Sequence, residues 1–167
     1  MIFDNNKSEM TYLALDPSLR AYGWAIIRDE KLIDCGCILT SPSNDEQDDI
    51  AITTLARELS NIVAEYVPDM VIFENPVGSK SSRANTALAY AKAVTLSVCT
   101  TYEFPYKLVT AKQVKKKLTK DSCGSKDSVK LEVSKKFKNF ETLTKGWTEK
   151  KLFAASDAIA VYLGYIS

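Results

Sequence analysis

The sequence predicts an α/β domain built on a five-stranded mixed sheet, three antiparallel strands and then two parallel ones, with helices on both faces. Three observations carry that prediction. Tyr12–Leu15 and Gly23–Ile27 are apolar runs separated by Asp16, Pro17 and Ser18, and with Gly23 as a further turn residue they pair most simply as a hairpin. Met70–Phe73 is short and wholly apolar, which suits a central strand covered on both faces. Helical stretches then separate or follow the remaining strands, giving the order β-β-β-α-β-α-β-α-α-α.

Each element has a local reason. Residues 1–10 are polar and read as a flexible extension ahead of a single domain over 11–167. Tyr12–Leu15 and Gly23–Arg28 are the first two strands, Glu30-Lys31 is a turn, and Leu32–Leu39 is a third strand in a meander. Ser41–Asp49 is an acidic loop rich in Ser and Pro. Ile50–Tyr66 carries Ile52, Leu55, Leu59, Ile62 and Val63 on one helical stripe, and Pro68 stops it. Met70–Phe73 ends at Glu74, and residues 75–82 form a loop. A second helix runs from about Arg83 to Thr100; its Ala-rich run suits either packing on the sheet or a dimer face. Tyr106–Val109 is the fifth strand. Thr110 is a good cap for a short helix, Ala111–Leu118, and Asp121–Ser125 is a turn. A further helix opens at Ser125 or Lys126 and reaches about Phe137. Gly146 breaks the chain, and Thr148 can cap the last helix, Glu149–Tyr165.

Composition narrows the chemistry. The chain has 167 residues, 46% apolar and 26% charged, as expected for a soluble globular domain. No apolar run reaches membrane-spanning length, and the start lacks the parts of a signal peptide, so a cytoplasmic protein is expected. Cys35, Cys37, Cys99 and Cys123 read as free thiols, Cys35 and Cys37 on one face of a strand. There is no histidine, which excludes Ser-His-Asp and Cys-His catalysis and histidine proton relays. Hydrolysis must then run on carboxylates, lysines and metal-activated water.

The net charge of +1 conceals a division. Lys107–Lys151 carries 14 lysines against 5 acids, a net of +9, while the rest carries 8 basic and 16 acidic residues, a net of −8. A segregated basic lobe is an electrostatic footprint for a polyanion, although a solvated lysine-rich surface has the same composition.

Three acids stand out. Asp16 closes the first strand and Glu74 the fourth. If those strands are parallel neighbours, both carboxylates lie at the sheet edge where α/β folds place ligands. Asp157 sits among small residues, Ala154-Ala-Ser-Asp157-Ala, that let the last helix approach the sheet. Asp16, followed by Pro17, would alone read as a turn-capping acid. Converging carboxylates repel unless they share protons or cations, and Mg²⁺, a hard ion with oxygen ligands, is the natural partner. Two such ions can activate water and stabilise the leaving oxygen of a phosphodiester.

The chain resembles the RuvC family of Holliday-junction resolvases, on the RNase H-like fold. The matching pieces are ALDPSLRAYGWAII (14–27), DCGCILT (34–40), PDMVIFENPV (68–77), the helix around Ala84–Ala93, VTAKQVKKKL (109–118), GSKDSVK (124–130) and SDAIAVYLGY (156–165). They cover most of the domain, in order. The resemblance implies a dimeric, magnesium-dependent endonuclease, with Mn²⁺ as substitute, that cuts opposed strands of a four-way DNA junction. It implies Asp16, Glu74 and Asp157 as catalytic metal ligands, and DNA contacts at Lys112, Lys115 and Lys126. Lys116 and Lys117, Lys80 and Arg83 ahead of the second helix, and Lys150 in the last helix are further candidate DNA contacts. Two departures are visible. Val77 stands where the family often has a junction-probing aromatic. Ala154 stands where it usually has a second acid or a histidine, three residues before the final aspartate, and Glu149, rotated about 80° from Asp157 on a regular helix, could replace it only if the helix start is irregular. A junction-binding protein that cuts poorly, and an RNA–DNA hybrid nuclease or a sugar-kinase-like phosphotransferase, are the alternatives; the last needs two lobes and phosphate-binding glycine loops that a chain with 6 glycines does not show.

Overall fold

The computed structural model describes residues 9–40, 47–76, 78, 80–119 and 125–166, the residues at 115–117 and 119 by their backbone alone. Val77, Cys123, residues 1–8 of the expected extension, 41–46 of the expected acidic loop and 121–124 of the expected turn therefore lie outside the described residues.

The strands are β1 (Thr11–Asp16), β2 (Ala21–Arg28), β3 (Lys31–Leu39), β4 (Met70–Asn75) and β5 (Tyr106–Thr110). The helices are α1 (Asp48–Tyr66), α2 (Ser82–Thr101), α3 (Ala111–Thr119), α4 (Lys126–Lys136), α5 (Phe140–Leu143) and α6 (Glu149–Ile166). One sheet of order β3-β2-β1-β4-β5 holds all five strands. The pairs β1·β2 and β2·β3 are antiparallel, while β1·β4 and β4·β5 are parallel, which is the mixed sheet expected.

Side-chain alternation divides the core. Leu13, Leu15, Val71 and Phe73 point to one face, where α1 and α2 cover them. Ala14, Ile72, Ala25 and Cys35 point to the other, under α6, with Val114 of α3 and Val129 and Val133 of α4. Central strand β1 is therefore apolar at every inner position, with Leu13 and Ala14 fully buried. Asp69 fastens the starts of two strands. Its carboxylate accepts from Thr11 N at 2.7 Å, and its own N–H donates to Thr11 O at 2.8 Å. Helix α1 ends where Val67 turns left-handed (φ 44°) and its N–H bonds Val63 O at 3.0 Å, just before Pro68.

Several local expectations need correction. Gly23 is not in the turn; it is inside β2, opposite Asp16. The β2–β3 turn is Asp29-Glu30 rather than Glu30-Lys31, because both residues take positive φ (49° and 59°) and Arg28 pairs with Lys31. Strand β4 continues through Glu74 to Asn75, because β5 pairs with both, Glu74 to Val109 and Asn75 to Thr110. The four-residue α5 has no counterpart among the expected helices. On α1, Ala51 rather than Ile52 takes the buried end of the stripe. Among the described residues no helix is long and apolar enough to cross a membrane.

Candidate active site

Asp16 is the last residue of β1, and its parity with Ala14 sends it to the α6 side. Leu15 pairs with Phe73, so Asp16 and Glu74 come one step further along parallel strands, side by side at the carboxyl edge. Glu74 shares its parity with Ile72 and so faces α6 too. Asp157 comes from the middle of α6, between Ser156 and Ala158, both fully buried. The three acids meet on the wall of one cavity of about 200 Å³, completed by Ala111, Val114, Lys126, Val129 and Ala160.

The electrostatics follow from that crowding. Burial pushes the Asp16 carboxyl up to about 7, and the charges of Asp157 and Glu74 push it the same way; Lys126 opposes them. Lys126 Nζ lies 3.9 Å from Asp157 Oδ2 and 5.8 Å from the centre of the Phe153 ring. That lysine is placed by the start of α4, where Ser125 Oγ caps the helix by accepting from Ser128 N at 3.2 Å.

The cavity opens beneath α3. That helix begins with a capping box: Thr110 Oγ1 accepts from Gln113 N at 3.2 Å, and Gln113 Oε1 accepts from Thr110 N at 2.9 Å. Lys112 projects from it into solvent. Lys80 and Lys150 are exposed as well, ahead of α2 and at the start of α6. Lys150 and Lys151 lie near Cys37 and oppose the burial that pushes its thiol up to about 11. Glu149 is the exposed first residue of α6 and does not line the cavity.

Arg83 does something that the sequence did not reveal. Its Nη2 lies 3.2 Å from Asp48 Oδ1, and Arg20 pairs with the same oxygen. Asp48 thereby joins the segment after β1 to the start of the helix after β4, the two chain segments that leave the acidic edge. No sequence signal pointed to this cluster, because Asp48 falls in what reads as loop. Thr40 adds to it, donating from Oγ1 to Leu19 O at 2.6 Å.

The donor set fits a hard cation: three carboxylates around one cavity, one of them held against its own ionisation by burial and by the other two. Their oxygens do not yet share a centre, since among the described residues no three acidic or thiol side chains stand in coordination geometry.

A mixed sheet with an acidic centre at its carboxyl edge, closed by a C-terminal helix that supplies the third carboxylate, places this chain in the RNase H-like class of folds. Within that class it belongs to the RuvC family: the family model described as crossover junction endodeoxyribonuclease RuvC matches residues 12–165. Similar proteins include the crossover junction endodeoxyribonuclease RuvC of Methylorubrum extorquens strain PA1, 30% identical over 162 residues, covering 96% of this chain and 82% of that protein. The protein of the same description from Ehrlichia canis strain Jake is 32% identical over 160 residues, covering 92% of this chain and 94% of that one. Among solved structures, Thermus thermophilus RuvC in complex with a Holliday junction substrate superposes with a TM-score of 0.76 at 17% identity, over 94% of this chain and 93% of that one. The yeast mitochondrial Holliday junction resolvase gives 0.65 at 15% identity, over 95% and 78%. At these identities the likeness is one of fold.

Proposed function

We propose that this chain is a structure-specific endodeoxyribonuclease that resolves four-way DNA junctions and also acts on other branched DNA. The observation that carries this reading is the meeting of Asp16, Glu74 and Asp157 around one cavity beside Lys126. Asp16, Glu74 and Asp157 would hold Mg²⁺, two ions in our reading, with Mn²⁺ as substitute. When bound, the ions supply Lewis-acid activation of water and of the leaving oxygen. The chain's own groups do the rest. Asp157 and Glu74 present carboxylate oxygens at the cavity wall. Asp16 would hold a cation as a carboxylate, since a cation would offset the Asp157 and Glu74 charges that, with burial, raise its affinity for a proton. Lys126 offers a cation to the phosphate beside the carboxylates. Lys112, Lys80 and Lys150, with Lys115, Lys116 and Lys117, attract the phosphate backbone without reading sequence. Arg83 divides its charge between Asp48 and this surface. The protein acts as a homodimer in the cytoplasm, since a two-fold substrate is matched by a two-fold pair of sites.

Ala154 favours a second reading, in which the protein binds junctions and cuts them poorly, because the side chain one turn before Asp157 offers no ligand. One assay separates the two. Purified protein meets a synthetic four-way junction, a flap and a linear duplex, with and without Mg²⁺, beside the Asp16→Asn variant. Paired nicks in opposed junction strands, dependent on Mg²⁺ and lost in the variant, are expected. Tight junction binding without cutting in Mg²⁺ or Mn²⁺ would establish the second reading, and full cutting by the variant would remove the first.

A further inference from the structure

We propose that Gly23 is a positioning residue of the acidic site: its missing side chain sets the height of α6 above the sheet and so brings Asp157 to Asp16 and Glu74. The inference rests on the reading of those three acids as cation ligands. Gly23 pairs directly with Asp16 across β1 and β2, and with Cys37 across β2 and β3. Paired residues share a face, so Gly23 lies under α6, next to the first carboxylate. A Cβ placed there would overlap the carbonyl oxygen of Ala154, and would stand 2.6 Å from its carbonyl carbon and 3.3 Å from its Cα. All three atoms are backbone, so no rotamer change can make room. The helix would have to lift by roughly 1.5 Å to bring the Ala154 carbonyl oxygen back to ordinary contact. Asp157 is one turn beyond Ala154 on the same rigid helix, about 4.5 Å along its axis, so the lift reaches its carboxylate nearly undiminished.

The other reasons for a glycine do not apply here. Gly23 lies in a strand and its φ is not in the left-handed region, whereas Gly146 takes φ +81° and a Cβ added to it would meet nothing within 4 Å. One is a glycine of close approach, the other of backbone conformation. The neighbours of Asp157 agree with this: Ala155, Ser156 and Ala158 are all fully buried, small residues that keep the helix low. Gly36 provides a matched comparison. It too sits in the sheet under a tight neighbour, since a Cβ there would overlap the Trp24 ring, but Trp24 packs with the α1 and α2 cluster on the far face.

The test measures ion binding without DNA. Mn²⁺ alone is titrated into wild type, Gly23→Ala, Gly36→Ala and Asp16→Asn, and free Mn²⁺ is read by electron paramagnetic resonance. Junction binding in EDTA and thermal melting are measured on the same samples. Gly23→Ala is expected to weaken Mn²⁺ binding at least tenfold while junction affinity in EDTA changes less than threefold. Gly36→Ala is expected to lower the melting temperature and leave Mn²⁺ binding unchanged. Wild-type Mn²⁺ affinity in folded Gly23→Ala, or an equal loss in Gly36→Ala, overturns the proposal. Should Gly23→Ala fail to fold, Ala158→Val lifts the same helix through a side chain; it must show the same selective loss, and normal Mn²⁺ binding in it overturns the proposal. Asp16→Asn tells the two readings apart. If it binds Mn²⁺ as wild type does, the acids are not the ion site; if it alone loses Mn²⁺, only the role of Gly23 falls.

Discussion

Asp16 is the residue in which fold and chemistry conflict most. Its carboxyl is raised from the ordinary 3.8 to about 7 by burial and by Asp157 and Glu74. For a group whose folded pKa is raised, the contribution to stability is fully present below its unfolded value. It is lost as pH climbs through the folded value. The metal-free protein should therefore lose stability between about pH 4 and pH 7 on account of this one group. The loss is at most about 4 kcal/mol, or several degrees in melting temperature. The Asp16→Asn variant should escape that loss. In EDTA, it should melt higher than wild type at about pH 8, by a margin that shrinks near pH 5. A margin independent of pH would mean that neither burial nor its neighbours raises Asp16. Residue-scale reading of the sequence reached Asp16, Glu74 and Asp157 because each sits at an odd place in an apolar pattern. It did not reach the Asp48 pairing with Arg20 and Arg83, because an acid at a loop–helix boundary looks the same whether or not two arginines fold back onto it.

At the scale of elements, α3 is the most exposed to perturbation. It is nine residues long and strongly cationic, and its start depends on the reciprocal bonds between Thr110 and Gln113. Thr110→Ala should cost about 1 kcal/mol. The cost should be confined to α3, so its amides should exchange faster with solvent while those of α6 keep their protection. Junction affinity should fall severalfold, and Mn²⁺ binding should not change. Unaltered exchange in α3 would show that packing on α6, where a Cβ at Gly164 would stand 3.0 Å from Val114 Cα, holds the helix without its cap. This cap was legible in the sequence because Thr110 follows a strand and precedes a cationic helical run. The extension of β4 to Asn75 was not, since it depends on what β5 does across the sheet. Nor was the turn at Asp29-Glu30, which adopts positive φ without the Asn or Gly that usually advertises it. Helix α5 is too short to show a period.

For the whole molecule, charge and symmetry make one joint prediction. The segment Lys107–Lys151 carries a net of +9 and the rest −8, so phosphate is drawn to the side of the molecule that holds α3, α4 and the start of α6. Junction binding should weaken steeply with salt, and Lys112→Glu should both weaken it and reduce that slope by about one or two, as fewer counterions are released. If the chain pairs as proposed, the α2 face on the other side of the sheet is where a second copy would dock. On α2, Ala91 packs into the core while Ala89, Tyr90 and Ala93 face outward, with Tyr90 37% exposed. An outward face of small side chains with one aromatic lets two copies approach closely about a two-fold axis. Ala93→Arg should then disrupt the pair without touching the acidic cavity. Sedimentation should show wild type at twice the monomer mass and the variant at the monomer mass. Both should bind Mn²⁺ equally. Wild type should nick both opposed strands within one encounter, whereas the variant should give single nicks whose second cut follows as an independent event. If Ala93→Arg remains a dimer, the contact lies elsewhere on the molecule. If it is a monomer that still makes paired nicks, pairing of sites is not how the two strands are cut together.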